Sequence, residues 1–354
     1  MTHGSLSGAD PSLVRTRRLL LLVHQYTGFI FAAYLIVVCA SGAILVLLEN
    51  QITGYRDYAM RRVPVGERKV PLEHMIASVE GANPGKKVYH ILESCPAGCT
   101  YDVSLHSGTD RLDALVDPYT GAILESVVWN TTSVGILYAL HGSLFLGDTG
   151  EAINAVAGLS LVILGSTGLF LWPGWQRLRN GFAIKWRGSP YRISYDVHKV
   201  TGVAAVTFLL VWAATAAGQV FWPEPPEPIY ALSNGQRALS LDYLVRVADA
   251  ALPGELTFVS MPSSGTIVAR KRVPGDPDPY GYSYVAVDAR TGAVTQVYDL
   301  RTFPLLWRMR AAMYAVHIGA PGGIGLRLAY AIVGFAPALL FSTAFVMWLQ
   351  KLKR

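Results

Sequence analysis

Of the eight histidines in this 354-residue chain, four repeat in pattern. His24 stands in HQYTG (24–28) and His198 in HKVTG (198–202), while His141 stands in YALHG (138–142) and His317 in YAVHI (314–318). The order His-x-x-x-Gly, polar stretch, Tyr-Ala-x-His therefore runs through the chain twice. All four lie at or inside apolar segments, where an ionisable side chain is costly and marks function by default. An imidazole offers a lone pair to a metal, a proton to a relay, or a hydrogen bond to a carbonyl or lipid headgroup. Four in two matched pairs favour paired ligands, and two imidazoles on opposite faces of a haem iron need only a large apolar slot around them. Zinc wants three or four N, O or S ligands at one centre, and no cysteine or carboxylate accompanies either pair. A proton relay wants carboxylates within the spans, and Glu49 and Asp196 stand only at the ends of theirs. For any single histidine, anchoring at the membrane interface is the remaining alternative.

The elements that must position these residues follow from composition. The chain is 52% hydrophobic and 15% charged, well under the roughly one-quarter charge of soluble domains. Four apolar stretches reach the roughly 20 residues that cross a bilayer, at 19–48, 149–173, 197–222 and 324–350. Polar stretches at 49–131 and 223–302 separate the first span from the second and the third from the fourth. The net charge of +6 is no nucleic-acid signal. Arg15, Arg17 and Arg18 precede the first span; Arg177, Arg179, Lys185, Arg187 and Arg192 fill the link 174–196; Lys351, Lys353 and Arg354 follow the fourth span. With four spans these clusters share one side, which the excess of basic residues makes cytoplasmic. The expected topology has the termini (1–18 and 351–354) inside, both polar stretches outside, and lipid as the main partner. Residues 1–14 lack an apolar run followed by a cleavage site, so the first span reads as retained.

Two halves, 15–187 and 188–354, share one plan. Each outside stretch carries a matched hairpin, ALVDPYTGAILES (114–126) and VAVDARTGAVTQV (285–297), in which Asp117 or Asp288 bonds the turn and Gly121 or Gly292 supplies a positive φ. Helices are expected near 72–81 and 241–250, and further strands at 101–106, 256–260 and 266–271, giving one small α+β module per half. Short interfacial helices with Gly-rich breaks (132–148 and 303–323) carry Tyr-Ala-x-His ahead of each return span. The expected fold is thus an α-helical integral membrane protein of four transmembrane helices in two pseudo-two-fold halves, with two small periplasmic α+β modules. The symmetry sets His24 opposite His198 near the inner face, each about 9 Å along its helix from an arginine (Arg18 or Arg192) at 1.5 Å per residue, and His141 opposite His317 near the outer face. Gly28 and Gly202, one turn beyond the inner histidines, leave room for a flat macrocycle or for close helix packing, and Gly42, Gly158, Gly165, Gly168 and Gly334 widen the slot. Carboxylate arms of such a macrocycle would find Arg308, Arg310 and Arg327 near the outer pair, and Arg17, Arg18 and Lys199 near the inner one. His3, His74, His90 and His106 have no counterpart and read as solvated, as does the strand end Arg270-Lys271-Arg272. Cys39 reads as a packing residue, and Cys95 and Cys99 are placed where a local disulfide is permitted.

The opening HQYTGFIFAAYLIVVCASGAILVLLENQI resembles the first helix of PepSY-associated transmembrane proteins, with His24, Gly28, Ser41-Gly42 and Glu49 at the matching places. DPYTGAIL resembles the end of a PepSY domain, and DARTGAVTQV is a second copy. The resemblance covers almost the whole chain. Repeat and depth place two haems b, one on His24 and His198 and one on His141 and His317, against the alternative of a haem within one half, such as between His24 and His141. The resemblance implies an inner-membrane ferric-siderophore reductase carrying b-type haem, fed by a quinol or cytoplasmic donor and reducing a periplasmic ferric siderophore. It also implies two other classes, a non-enzymatic PepSY regulatory or scaffold protein and a haem b electron-transfer subunit serving another periplasmic acceptor.

Overall fold

The structure is a computed structural model, and it describes residues 11–48, 62–93, 98–107, 110–222, 239–261, 265–278 and 280–353. His3 and Cys95 fall outside these. In chain order the helices are α1 (Pro11–Leu48), α2 (Leu72–Ala82), α3 (Ser133–Ser143), α4 (Gly147–Leu171), α5 (Leu178–Phe182), α6 (Pro190–Phe221), α7 (Leu241–Ala251), α8 (Leu305–His317), α9 (Gly323–Val333) and α10 (Ala336–Leu352). The strands are β1 (Lys87–Leu92), β2 (Tyr101–Ser107), β3 (Asp110–Val116), β4 (Ile123–Val128), β5 (Glu255–Ser260), β6 (Thr266–Arg272), β7 (Ser283–Asp288) and β8 (Val294–Tyr298). The chain divides into a helical unit (1–44, 140–221, 329–354) and a sheet unit (45–139, 222–328).

Four helical stretches are long and apolar enough to cross a membrane: Ser12–Leu48, Gly147–Trp175, Pro190–Phe221 and Ala320–Leu352. In the helical unit they pack through Leu35, Leu161, Leu209 and Ala336, with Phe31, Tyr34 and Trp212 at the margins. The fourth stretch is not one rod. It breaks between α9 and α10 at Gly334-Phe335, two residues before Pro337. Proline cannot donate into the preceding turn, and at Gly334 the backbone comes close enough to α1 that a Cβ would meet Ala43 Cβ at 2.5 Å and Cys39 O at 2.9 Å.

The sheet unit departs from the expected pair of modules. Its strands form one eight-stranded antiparallel sheet in the order β4-β3-β2-β1-β5-β6-β7-β8. The two copies join edge to edge through β1 and β5, with Ile91 opposite Val259. One hydrophobic core serves both copies: Met75 and Val79 of α2 and Leu241, Leu244 and Ala248 of α7 cover Val103, Ala114, Ile267 and Val285 on the same sheet face. A half-module of four strands and one helix would leave the β1 edge unpaired, and pairing it with its own copy removes that liability. The two helices also cap each other. Glu73 Oε1 accepts the Leu241 N–H at 2.6 Å, and Asp242 Oδ1 accepts the Leu72 N–H at 3.0 Å, so each helix start receives a carboxylate from the other. Both hairpin turns form as expected. Asp117 accepts from Tyr119 N at 2.8 Å and Asp288 from Thr291 N at 2.7 Å, with Gly121 at φ 73° and Gly292 at φ 74°.

Two residues expected in solvent are inside. Lys271 is 1% exposed and forms an ion pair with Asp249, because strand alternation turns it to the face opposite that of Arg270 and Arg272. His90 is also buried, and its Nε2 meets Ser104 Oγ at 2.8 Å. The Ser104 hydroxyl donates to Asp113 Oδ1 at 2.5 Å, so His90 Nε2 must be the donor to Ser104. His74 and His106 are exposed, with His106 stacked on Tyr89 at 3.7 Å between ring centres.

Around Ser104, Asp102 Oδ1 and Asp113 Oδ2 are buried and have no hydrogen-bond partner among the described residues. Burial, then the neighbouring Asp113 carboxylate, pushes the Asp102 carboxyl up to about 7. Burial, then the Arg111 guanidinium, holds His90 down at about 3. The raised Asp102 contributes stability below its unfolded value of 3.8 and loses it as pH rises towards 7. The depressed His90 contributes stability above 6.5 and loses it as pH falls towards 3. The two slopes oppose each other across nearly one window. Asp102→Asn is therefore expected to stabilise the protein at pH 7.5 by on the order of 2 kcal/mol, with the gain vanishing near pH 4. Denaturant midpoints of both proteins between pH 4 and 8 check this, and a pH-independent gap would contradict it.

Candidate functional site

Helices α1 and α6 carry the His-x-x-x-Gly copies, and the helical unit brings them face to face. The rings of His24 and His198 lie 6.2 Å apart between centres, at 80° to each other. Each ring is fixed through Nδ1. His24 Nδ1 lies 2.8 Å from Thr167 Oγ1 on α4, whose own hydroxyl donates to Ile163 O at 2.6 Å. The threonine proton is thus committed and its oxygen accepts, which puts the His24 proton on Nδ1. His198 Nδ1 lies 3.0 Å from both Leu340 O and Thr343 Oγ1 on α10. A carbonyl can only accept, and the Thr343 hydroxyl donates to Leu339 O, so this proton is on Nδ1 as well. In both rings the lone pair is left on Nε2, which has no partner among the described residues.

The two rings line one cavity, and an imidazole lone pair there can accept from a proton donor or bind a metal. A metal–imidazole bond of about 2 Å puts each ring centre roughly 3 Å from the metal. Two such rings on opposite sides of one ion stand about 6 Å apart, the separation seen here. Hydrogen bonding of the second ring nitrogen to a carbonyl or hydroxyl is the usual arrangement behind a ligating histidine. Among the described residues no three His, Cys, Asp or Glu side chains converge as ligands, so the site offers two imidazole donors.

The cavity around the pair measures about 580 Å³ and is lined mainly by apolar side chains of α1, α4, α6 and α10, within the range of small-molecule sites. Gly28, Gly168 and Gly202 form part of its wall. A Cβ on Gly28 would meet only Leu164 at 3.6 Å, and one on Gly202 only Leu340 at 3.8 Å, both ordinary contacts. Helix packing therefore does not require these two glycines, although glycine inside a helix costs about 1 kcal/mol against alanine. Open cavity wall accounts for them. Gly28→Leu and Gly202→Leu are accordingly expected to leave the unfolding temperature unchanged or raised while lowering the affinity of any planar ligand that enters the cavity at least about tenfold. Thermal unfolding in detergent beside a titration with haem separates the two effects.

The other pair is divided between the units. His141 belongs to the helical unit, where its Nδ1 lies 2.9 Å from Val38 O and 3.4 Å from Ser41 Oγ. Its ring lies on Gly42, where a Cβ would fall 2.6 Å from Cε1, so Ser41-Gly42 forms its seat. His317 ends α8 in the sheet unit. Of the arginines expected nearby, Arg308 is exposed, Arg310 is buried and donates Nε to Trp222 O at 3.2 Å, and Arg327 is half-buried. Cys99 is disulfide-bonded and Cys39 is free.

Sequence reasoning missed Thr167 and Thr343. A signal was present, since Ser-Thr recurs at 166–167 and 342–343 on the two return spans, one copy facing each inner histidine. It also left unassigned the ion pair of Asp196 with Lys199 (2.6 Å) beside His198.

Among known families, the one described as PepSY-associated TM region matches residues 21–351. No curated protein matches the chain.

Proposed function

The chain belongs to the family of the PepSY-associated TM region, and we propose from that premise that it is a di-haem b-type membrane reductase. His24 and His198 would hold an inner haem, and His141 and His317 an outer one. The carrying observation is the inner pair: two rings 6.2 Å apart, with both protons held on Nδ1 and both lone pairs on Nε2. A haem iron held by these two imidazoles would supply one-electron transfer. The chain's own part is to fix the two tautomers through Thr167, Leu340 and Thr343, to keep water from the apolar cavity, and to leave a planar slot at Gly28 and Gly202.

In this proposal the basic flanks face the cytoplasm of a bacterial inner membrane, the sheet unit is periplasmic, and a quinol or cytoplasmic donor supplies electrons. The acceptor is a ferric siderophore, reduced from Fe(III) to Fe(II) by one electron so that the iron is released. The iron is substrate, and no proton-transfer dyad is needed for that step. Purified protein is expected to show a Soret band, with α and β bands that sharpen on dithionite. Anaerobically reduced protein mixed with a ferric siderophore is expected to reoxidise and yield ferrous iron. A colourless protein would sink the haem proposal and leave a PepSY regulator or scaffold; a coloured one that the chelate does not reoxidise would point to another periplasmic acceptor.

A further inference from the structure

The two copies of the inner histidine motif part company where they meet the basic flank. Half one reads Arg18, Leu22, His24, Gln25, and half two reads Arg192, Asp196, His198, Lys199 at the same spacing. Asp196 is completely buried and takes three donors: Lys199 Nζ at 2.6 Å, Arg192 Nε at 2.9 Å and the Lys185 backbone N–H at 3.1 Å. Lys199 is 9% exposed, lies 5.6 Å from the centre of the Tyr195 ring, and lines the cavity beside His198. Burying an ion pair in an apolar helix is a poor way to stabilise it, and Leu22 with Gln25 shows that the same position does without one. An ammonium has three N–H donors. Asp196 accepts one, and no other acceptor for Lys199 occurs among the described residues. Asp196, Lys199 and Arg192 together carry one negative and two positive charges, so one side of a largely apolar cavity is left electropositive.

We propose that Lys199, held in place by Asp196, seats a carboxylate arm of the cofactor, so that the cofactor enters one way round although its two axial histidines are related by symmetry. The inference rests on the haem proposal and deepens it: the ligand class is a planar tetrapyrrole with anionic side arms directed to the cytoplasmic end of α6. Asp196 acts as a positioning residue through Lys199.

The test compares haem with haem dimethyl ester, whose carboxylates are blocked. Full-length protein carrying His141→Ala, so that the inner cavity alone is read, is prepared without haem and titrated with each porphyrin in detergent, following the low-spin Soret band. The ester is expected to bind the parent about tenfold or more weakly, the size of a charge-assisted hydrogen bond. Lys199→Met should bind both porphyrins alike, near the ester's affinity, and Lys199→Arg should restore the preference for haem. Asp196→Asn should reduce that preference while Lys199 remains in the chain. Equal binding of haem and ester by the parent would overturn the proposal without any substitution, and so would an undiminished preference in Lys199→Met. A parent that binds neither porphyrin with a low-spin spectrum would overturn the haem proposal instead, a different result.

Discussion

Replacing His198 by alanine is expected to abolish the low-spin signal of one of the two proposed haems and to leave the other. The inner cavity would keep His24 as its single imidazole, and the nearby Asp196 carboxylate is engaged by Lys199, Arg192 and the Lys185 N–H. The effect is all-or-none at that site, the largest of any single change. Thr343→Val is a graded companion. It removes one of two acceptors for the His198 proton, and losing such a partner behind a ligand weakens metal binding by about 10–100-fold. Thr167→Val should act about as strongly, because Thr167 is the side-chain acceptor at His24 Nδ1 beside the Leu164 backbone. Reduced-minus-oxidised spectra quantify both, and an unchanged spectrum in His198→Ala would refute the inner pairing. Under the same proposal His141→Ala should do the converse, costing the signal of the proposed outer haem and sparing the inner.

The second large effect lies in the sheet unit. Asp249→Ala would strand the Lys271 ammonium, 1% exposed, with Gly254 O at 3.3 Å as its remaining acceptor. Breaking a buried pair from one side costs about 3–5 kcal/mol, whereas replacing the charge by an apolar chain of similar volume is close to neutral. Asp249 itself is half exposed, which places the expected loss near the lower end, about 3 kcal/mol. Lys271→Met should be nearly silent. Denaturant unfolding of the full chain, followed by sheet circular dichroism, separates the two; equal losses would show that the ion pair is not what holds Lys271.

Much of this architecture is legible in the residues, and what was not has physical reasons. The spans announce themselves by length and hydropathy, and the hairpins by Asp-x-x-Thr-Gly. The joining of two modules into one sheet was hidden in KVYHIL (87–92). The register of β1 against β2 shifts between Val88 and His90, which breaks the alternation by which a strand is recognised. His90 and Lys271 look solvated by type, and only the tertiary partners Ser104 and Asp249 make their burial tolerable. The inner pair could be inferred from repeat and depth. The threonines that fix its tautomers left a fainter trace, the repeated Ser-Thr, because a threonine in an apolar run ordinarily bonds its own helix carbonyl, as Thr215 does with Val211 O at 2.7 Å.

The seam between β1 and β5 sets a timetable for making this protein. Ile91 and Val259 pair across it, about 170 residues apart in the chain. At synthesis rates of about 5–20 residues per second, β1 stands finished for on the order of 10–30 s before β5 exists, while two apolar spans are made in between. During that interval the first copy presents a bare strand edge to any other chain emerging nearby. A second nascent copy that brings its own β1 or β5 to that edge competes with the chain's own later half. Slow translation or crowded insertion should therefore favour strand-exchanged dimers, and codon choice between the second and third spans is a place where yield of the monomer can be won or lost.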